Sequence, residues 1–345
     1  MMNNDSQDAD PNAGDSSAAT SDKNWETNNP TGRNGLIAID KVGDKIRFFH
    51  PVTYEEEKVL DIKNHHEVAI SPDHKTAYVS EFGKFAANKF VQQGNHVTLI
   101  DLDIRDVVHR IHTGDYKGPH GMRFDDAGGM WVIFEETGEL GLIDLGKNTL
   151  VDVFDIGAAD TRPPFIELLP DCSKIYISSK LGDLVVFSVE SRSVAAVIDV
   201  PFGTEGITVS PDGSRIVVAE NTEQCLLVID TSTDQIVERI PLAGSVMSNP
   251  RRSRLVRVRF SLDGAYLISA NYAGGVVHIH DGARLDEQVM LPVAKGPQGI
   301  AFTADNRKAI VSNHDSGVAT IIDLDKKLAE DWFEFGQGIE TMTFY

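Results

Sequence analysis

The chain has 345 residues, enough for one large domain or two ordinary ones, and a formal net charge of −20. This excess of acid repels phosphate, so neither nucleic acid nor an anionic membrane surface is an expected partner. The sequence contains no run of 18 apolar residues and no apolar signal segment near its start, which predicts a cytoplasmic protein without a membrane span.

Residues 1–33 are rich in Asn, Asp, Ser and Gly and contain almost no aliphatic side chains. Such a segment buries too little apolar area to offset the entropy of ordering it. We therefore predict a disordered acidic tail over residues 1–33 and a folded domain over residues 34–345.

The folded part repeats a unit of roughly forty residues. Each unit has a tight turn with Asp, where the carboxylate accepts backbone hydrogen bonds and Gly or Asn tolerates a positive φ. The turns are SPDH (71–74), DDAG (125–128), LPDC (169–172), SPDG (210–213), SLDG (261–264) and TADN (303–306). An apolar strand lies on each side of the turn, and a third strand ending in Ile-Asp and a more polar fourth strand follow. Four strands with the apolar ones first are typical of a β-propeller blade.

Six units are complete, and a seventh is divided between the two ends of the folded part. The segment GLIAID (35–40) begins three strands that lack an innermost partner, and GIETMTFY (338–345) is an innermost strand without the other three. Joining them removes free sheet edges. The predicted fold is all-β: a seven-bladed β-propeller of four-stranded antiparallel blades, with the last blade closed by the N- and C-terminal strands.

The repeat resembles the YVTN family of β-propellers, which includes lactonases, in its SPDG turns, its YVSE, VVAEN and IVSN strands and its VID endings. The resemblance covers residues 34–345 and implies the fold rather than a function, because such repeats occur in scaffolds, electron-transfer subunits, lactonases and lyases. The segment PHGM with Glu135 is similar to virginiamycin B lyase-type propellers, which also place His on the innermost strand and Glu at the end of the next.

The first two complete units carry His and Glu at matching positions, His66 with Glu81 and His120 with Glu135, each pair fifteen residues apart. The start of the innermost strand and the end of the second lie at one end of an antiparallel hairpin. Both pairs are therefore predicted to face one mouth of the central channel. Imidazole and carboxylate ligands suit a divalent cation, so these four residues are the predicted ligands of Mg²⁺, Mn²⁺, Ca²⁺ or Zn²⁺.

Further residues are predicted at the same mouth. His66, His120 and Glu205 are candidates for acid–base catalysis. An insertion at 82–95 is a candidate lid, and a second at 243–255 brings several arginines that suit an anionic substrate. The candidate substrate-binding residues are Arg251, Arg252, Arg254, Arg257, Lys117, Lys295, Gln298, Asn271 and Asn313.

Phosphate-binding glycine loops, nucleophile elbows and Cys-x-x-Cys motifs are missing from the sequence, so neither a nucleotide nor a haem is expected. The predicted function is a small-molecule enzyme acting on an anionic substrate at the channel mouth, through metal-assisted lyase, lactone hydrolase or isomerase chemistry. A metal-free acid–base mechanism with the two histidines is an alternative. A non-catalytic binding or scaffold propeller is another, and the oligomeric state is left open.

Overall fold

A computed structural model of the chain describes residues 33–86, 89–200, 203–220, 224–244 and 255–345, with the backbone alone at 85, 86, 89 and 90. The predicted tail, residues 1–33, lies outside the described residues except for Arg33. None of the described residues forms a helix long and apolar enough to span a membrane.

The described residues form seven four-stranded antiparallel sheets, which we call blades. The closing blade begins with β1 (Leu36–Asp40), β2 (Lys45–Phe49) and β3 (Glu56–Asp61). Blade 1 contains β4 (His65–Ile70), β5 (Thr76–Ala86), β6 (Lys89–Asp101) and β7 (Asp106–His112). Blade 2 contains β8 (Pro119–Phe124), β9 (Gly129–Phe134), β10 (Glu139–Asp144) and β11 (Thr149–Asp155). Blade 3 contains β12 (Ile166–Leu168), β13 (Lys174–Ile177), β14 (Leu184–Ser188) and β15 (Ser193–Ile198).

The second half of the chain continues the same order. Blade 4 contains β16 (Thr204–Val209), β17 (Arg215–Glu220), β18 (Cys225–Asp230) and β19 (Gln235–Pro241). Blade 5 contains β20 (Leu255–Phe260), β21 (Tyr266–Asn271), β22 (Val276–Asp281) and β23 (Gln288–Pro292). Blade 6 contains β24 (Pro297–Phe302), β25 (Lys308–Asn313), β26 (Val318–Asp323) and β27 (Leu328–Glu334). The last strand, β28 (Ile339–Phe344), pairs antiparallel with β1 and completes the closing blade, as the sequence predicts.

Apolar side chains fill the spaces between adjacent blades. Seven buried clusters are present, one at each junction of neighbouring blades. Between blades 5 and 6, for example, Ile268 and Ile279 pack in the same cluster as Ile300 and Val311. The inner strands are apolar because each blade is covered on both faces by its neighbours.

The Asp turns take the form that the sequence predicts. In blade 4, Asp212 accepts hydrogen bonds from the Ser210 hydroxyl at 2.6 Å and the Ser214 amide at 3.0 Å. Gly213 in this turn has a φ of 72°, where a side chain would be strained. These turns join the two innermost strands of a blade, so together they form one rim of the central channel.

The insertion predicted as a lid forms a β-hairpin. Strands β5 and β6 continue past the length of a normal blade strand, and their backbones pair from Gly83 with Gln93 to Ala86 with Lys89. Continued backbone pairing makes this segment an extension of blade 1. The second insertion, residues 243–255, lies largely outside the described residues.

Candidate functional site

The two histidines singled out by the sequence lie against each other at the channel axis. His66 lies on β4 and His120 on β8, the innermost strands of neighbouring blades. Their Nε2 atoms are 3.4 Å apart and their ring centroids 4.2 Å apart. Both side chains are buried, with exposed fractions of 7% and 1%. The ring geometry of the propeller thus brings together two imidazoles that are 54 residues apart in the chain.

A backbone contact determines the tautomer of His120. Its Nδ1 atom lies against the carbonyl oxygen of Pro164, in the loop before blade 3. Because a carbonyl can only accept, Nδ1 carries the proton and the lone pair lies on Nε2, which faces His66. Burial and the neighbouring His66 lower the pKa of His120 well below its ordinary value, so the ring is neutral at pH 7.

Two carboxylates flank His66. Glu67 Oε1 is 3.3 Å from His66 Nδ1, and Glu340 Oε2, on β28, is 2.8 Å from His66 Nε2. Burial raises the pKa of Glu67, but Arg257 and His66 outweigh burial and hold it far below the ordinary value. Burial likewise raises the pKa of Glu340, and His66 and Lys41 bring it well below that value. Both groups are therefore ionised at neutral pH.

Cations and aromatic rings enclose these groups. The Arg257 guanidinium pairs with Glu67 and lies 4.2 Å from the Phe165 ring centroid. Lys41 lies 3.2 Å from Glu340. Phe82, at the start of the extended hairpin, packs edge-on against both imidazoles, with centroid distances of 4.9 Å to each. Little water reaches the cluster, which strengthens its electrostatic interactions.

A β-bulge explains why consecutive residues share this site. In a regular strand the side chains of His66 and Glu67 would point to opposite faces. The pairing of β4 with β5 shifts by one residue between His65 and Val68, and the bulge breaks that alternation. Comparable shifts occur in β8, β16, β20 and β24. Reasoning from strict alternation therefore missed Glu67.

The residues directly after His120 and Glu205 are glycines, and both lie where neighbouring innermost strands approach closely. A Cβ on Gly121, next to His120, would lie 2.9 Å from the Phe165 Cα. A Cβ on Gly206, next to Glu205, would lie 2.9 Å from the Arg257 Cα. Backbone atoms cannot move aside at that distance. Glycine is therefore required for blade 2 to pack against blade 3 and for blade 4 to pack against blade 5.

Glu135, a predicted metal ligand, lies beside the cluster but is held by cations. Its carboxylate is 3.8 Å from His120 Nε2, 2.5 Å from Arg162 and 2.9 Å from Lys180. Burial raises the pKa of Glu135, and Lys180 followed by Arg162 lowers it below the ordinary value. Glu205, a predicted catalytic residue, lies 3.8 Å from the same Lys180. The two carboxylates therefore share one cation next to the histidines.

Glu81 is not brought to the imidazoles, contrary to the sequence-based prediction. Its pairing partner is His65 rather than His66, because the bulge shifts the register. Its carboxylate pairs with Arg110 on the outermost strand and is 3.7 Å from His96. Glu81 thus belongs to the outer part of blade 1, and Glu67 occupies the place expected for it.

Two of the three predicted substrate-binding amides make hydrogen bonds within their own blades, and Asn271 Nδ2 also donates to Gln224 Oε1 before β18 at 3.4 Å. Asn313 Nδ2 donates to the Val318 carbonyl and to the Thr320 hydroxyl, both at 3.0 Å and both within blade 6. Asn271 Oδ1 accepts the Gly274 amide at 2.9 Å and closes a turn. Both contacts stabilise the connection between the second and third strands, and the substrate role of the two amides stays a prediction.

The other predicted substrate-binding residues are dispersed. Lys117 Nζ donates to the Gly114 carbonyl at 2.9 Å, and Lys295 is exposed at the surface. Gln298 is buried at the start of blade 6. Arg257 reaches the site through Glu67. Three predicted arginines, Arg251, Arg252 and Arg254, lie outside the described residues.

Within the described ranges, one group of potential metal ligands converges. Single ligating atoms of His66, Glu67 and His120 all lie within 4.8 Å of one another, and all three residues are buried. Two imidazole nitrogens and a carboxylate oxygen are a donor set for a divalent cation. His66 and His120 are predicted as ligands from the sequence, whereas Glu67 is not.

A cavity of about 530 Å³ occupies the channel between the cluster and the rim of Asp turns. Glu67, Phe165 and Arg257 line its inner part, and His74 and Leu262 line it at the turns. The cavity reaches Glu67 of the cluster from the end that the Asp turns form. The predicted approach lies at the opposite rim, where the innermost strands start, and stays a prediction.

Fold and site together define a seven-bladed β-propeller with a buried His/Glu cluster on its axis. No protein-family model and no curated protein matches the sequence. Solved structures do match. Kuenenia stuttgartiensis hydrazine synthase aligns with a TM-score of 0.71 and 18% identity over 85% of this chain and 93% of that one. A functionally unknown protein from Desulfotomaculum acetoxidans DSM 771 aligns with a TM-score of 0.70 and 14% identity over 89% and 98%. At these identities the similarity shows the fold alone.

Proposed function

We propose that the protein is a metal-dependent enzyme that acts on a small anionic substrate at the axial His/Glu cluster. The observation that carries the proposal is the 3.4 Å separation of two Nε2 atoms that come from two neighbouring blades. Two nitrogens about 2.0–2.1 Å from a tetrahedral zinc ion are themselves about 3.4 Å apart. The imidazoles therefore already have the spacing of two ligands on one ion.

The surroundings of the pair support metal binding. His120 donates its other ring nitrogen to a backbone carbonyl, the arrangement that commonly orients a metal-ligating histidine. Glu67 is ionised and supplies an oxygen ligand. Among the four predicted ions, imidazole ligands favour Zn²⁺ over Mg²⁺ and Ca²⁺, which prefer oxygen. The proposed ligands are His66, Glu67 and His120.

Three protein ligands leave a coordination position for a substrate oxygen, which the ion would polarise. A carboxylate that is not a ligand is then needed to move a proton. Glu340 is one candidate: its Oε2 lies 2.8 Å from His66 Nε2, and an ion bound to that nitrogen would displace their hydrogen bond and leave the carboxylate free to take a proton. Glu205 is a second candidate through the Lys180 network. Such chemistry suits a lyase, a lactone hydrolase or an isomerase.

One observation favours the alternative of a non-catalytic YVTN-type binding or scaffold propeller. Each carboxylate of the cluster has its own cation, Arg257 for Glu67 and Lys41 for Glu340. A network that neutralises itself can stabilise the closed ring without an ion. Metal content distinguishes the two functions, because a structural network needs no metal.

The test is metal analysis of the purified protein after dialysis against weak chelator and reloading with Zn²⁺. We expect about one equivalent of zinc in the wild type. We expect less than about a tenth of that in His66→Ala and His120→Ala. His109→Ala, on the exposed outer strand of blade 1, is the matched control and keeps the metal. Wild-type protein that binds no zinc, or alanine variants that retain it, would show the proposal to be wrong.

A further inference from the structure

The axial cavity has an unusual charge for this chain. Its charged lining residues on the innermost strands are Glu67, Arg123, Glu167, Arg257 and Arg259, which sum to +1 in a protein of net charge −20. The positive groups line a channel with protein on all sides of its axis, where a charge is screened less than on the outer surface. An anion therefore meets attraction inside a molecule that is acidic as a whole.

Two of the three arginines already have a carboxylate. Arg257 pairs with Glu67 at the inner end of the cavity. Arg123 forms a two-point contact with Glu167, in which its Nε donates to Oε2 at 2.9 Å. These pairs use up the acidic groups on the cavity wall.

Arg259 is different. Its Nη1 donates to the Ile300 carbonyl at 2.9 Å, which holds the guanidinium across the gap between blades 5 and 6. Among the residues that the structure describes, no carboxylate lies within salt-bridge distance of it. Its side chain is open to the cavity and yet surrounded by protein. The surrounding protein and then the neighbouring Arg123 lower the pKa of Arg259 below its ordinary value, because the two guanidiniums repel each other.

The walls beside Arg259 suit a small polar ligand. Alternation along the innermost strands places Ala69, Thr208 and Thr343 at the same level of the channel. Small side chains leave room on the axis, and the Thr208 hydroxyl, which accepts the Phe260 amide, keeps its proton to donate to a ligand oxygen. A volume of about 530 Å³ is within the range of small-molecule sites.

We infer that the cavity binds the carboxylate of a small polar organic acid, with Arg259 as the group that recognises it. A guanidinium donates two parallel hydrogen bonds to a carboxylate, and an anion here also relieves the repulsion between Arg259 and Arg123. The identification of this acid as the substrate rests on the proposed function. The binding of the acid in the cavity is independent of that function, because Arg259 is not among the proposed metal ligands.

The test is calorimetric titration of the full chain with succinate, using uncharged succinamide as the matched probe. We expect succinate to bind and succinamide to bind at least tenfold more weakly, because the amide cannot form the charge-assisted pair. Equal binding of the two compounds would overturn the inference without any variant. Inorganic phosphate, titrated in parallel, shows whether the site accepts a tetrahedral anion as well; phosphate binding with no succinate binding would contradict a carboxylate site.

Variants place the site. We expect Arg259→Gln to weaken succinate binding by roughly tenfold or more, and Arg259→Lys to weaken it less, since lysine keeps the charge but loses the fork. Arg192→Gln, which removes an exposed surface arginine paired with Asp152, is the matched control and binds as the wild type does. Circular dichroism and melting temperature confirm that each variant is folded. Unchanged affinity in folded Arg259→Gln would contradict the assignment.

The same titration separates this inference from the proposed function. His120→Ala binds succinate normally if Arg259 recognises it, even though the variant binds no zinc. Wild-type protein that binds succinate but takes up no zinc on reloading would support the cavity site and refute the metal centre. Zinc binding without succinate binding would do the reverse. Succinate affinity that disappears with His120 and survives Arg259→Gln would mean that the anion binds the metal.

Discussion

Blades 2 and 6 have the same strand order and the same bulge, yet their polar residues do different work. In blade 2, His120 contacts the imidazole of blade 1 and the backbone before blade 3, and Glu135 pairs with Lys180 from blade 3. In blade 6, Asn313 makes its hydrogen bonds to Val318 and Thr320 of its own blade. A residue at a repeat position contributes to a site when its hydrogen-bond and ion-pair partners lie in other blades. It contributes to local stability when those partners lie in its own blade.

The largest expected effect tests the interblade side of this comparison. Glu135→Gln leaves Arg162 and Lys180 close together without their carboxylate. Because Glu135 is fully buried, we expect the free energy of unfolding to fall by about 3 kcal/mol. Urea unfolding at pH 7 measures it, with Glu287→Gln in an exposed pair as the control. A loss below about 1 kcal/mol would mean that the interblade network contributes no more than a surface pair.

The next effect concerns a histidine whose partners lie in its own blade. His280 in blade 5 contacts Ser269 and Leu285. Burial lowers its pKa to about 4; the Leu285 carbonyl opposes this shift, and His278 adds to it. The unfolded chain takes up the proton near pH 6.5, and the folded chain takes it up near pH 4. Stability from this group is thus complete above pH 6.5 and is lost as the pH falls toward 4.

We expect this single residue to account for about 3 kcal/mol of the loss of stability between pH 7 and pH 4. His280→Gln should flatten the pH dependence of the unfolding free energy by that amount. His109→Ala on the surface should leave the slope unchanged. An identical slope in His280→Gln and the wild type would show that His280 titrates normally in the folded protein.

Asn313→Ala should have a smaller effect, about 1–2 kcal/mol on unfolding, because it removes amide hydrogen bonds within one blade. Zinc content and succinate affinity should not change. Loss of either would mean that the amide contributes to the site, as the sequence analysis proposed, and would remove the distinction between the two blades.

Glu81→Gln should have the smallest effect. Its pair with Arg110 lies at the edge of blade 1, with the arginine half exposed, and such pairs contribute about 0–1 kcal/mol. We expect zinc content equal to that of the wild type. A variant that loses zinc would restore Glu81 as a ligand and count against Glu67.

The sequence alone determined the architecture of this protein. A closed ring of seven blades accounts for the Asp turns at a fixed period, the apolar inner strands and the complementary end segments. The pairing of β1 with β28 follows from this closure. The sequence also indicated His66 and His120, because imidazoles at a matching repeat position have no role in folding the repeat.

Only the tertiary structure decided which carboxylates join them. The bulge in β4 pairs Glu81 with His65 and leaves Glu67 beside His66, and a one-residue shift of register cannot be read from the spacing of residues in the repeat. The position of Arg259 opposite the carbonyl of the next blade, and the cavity that it faces, likewise depend on how neighbouring blades approach. Contacts between residues distant in sequence arise from the packing of blades around the axis, which no local pattern specifies.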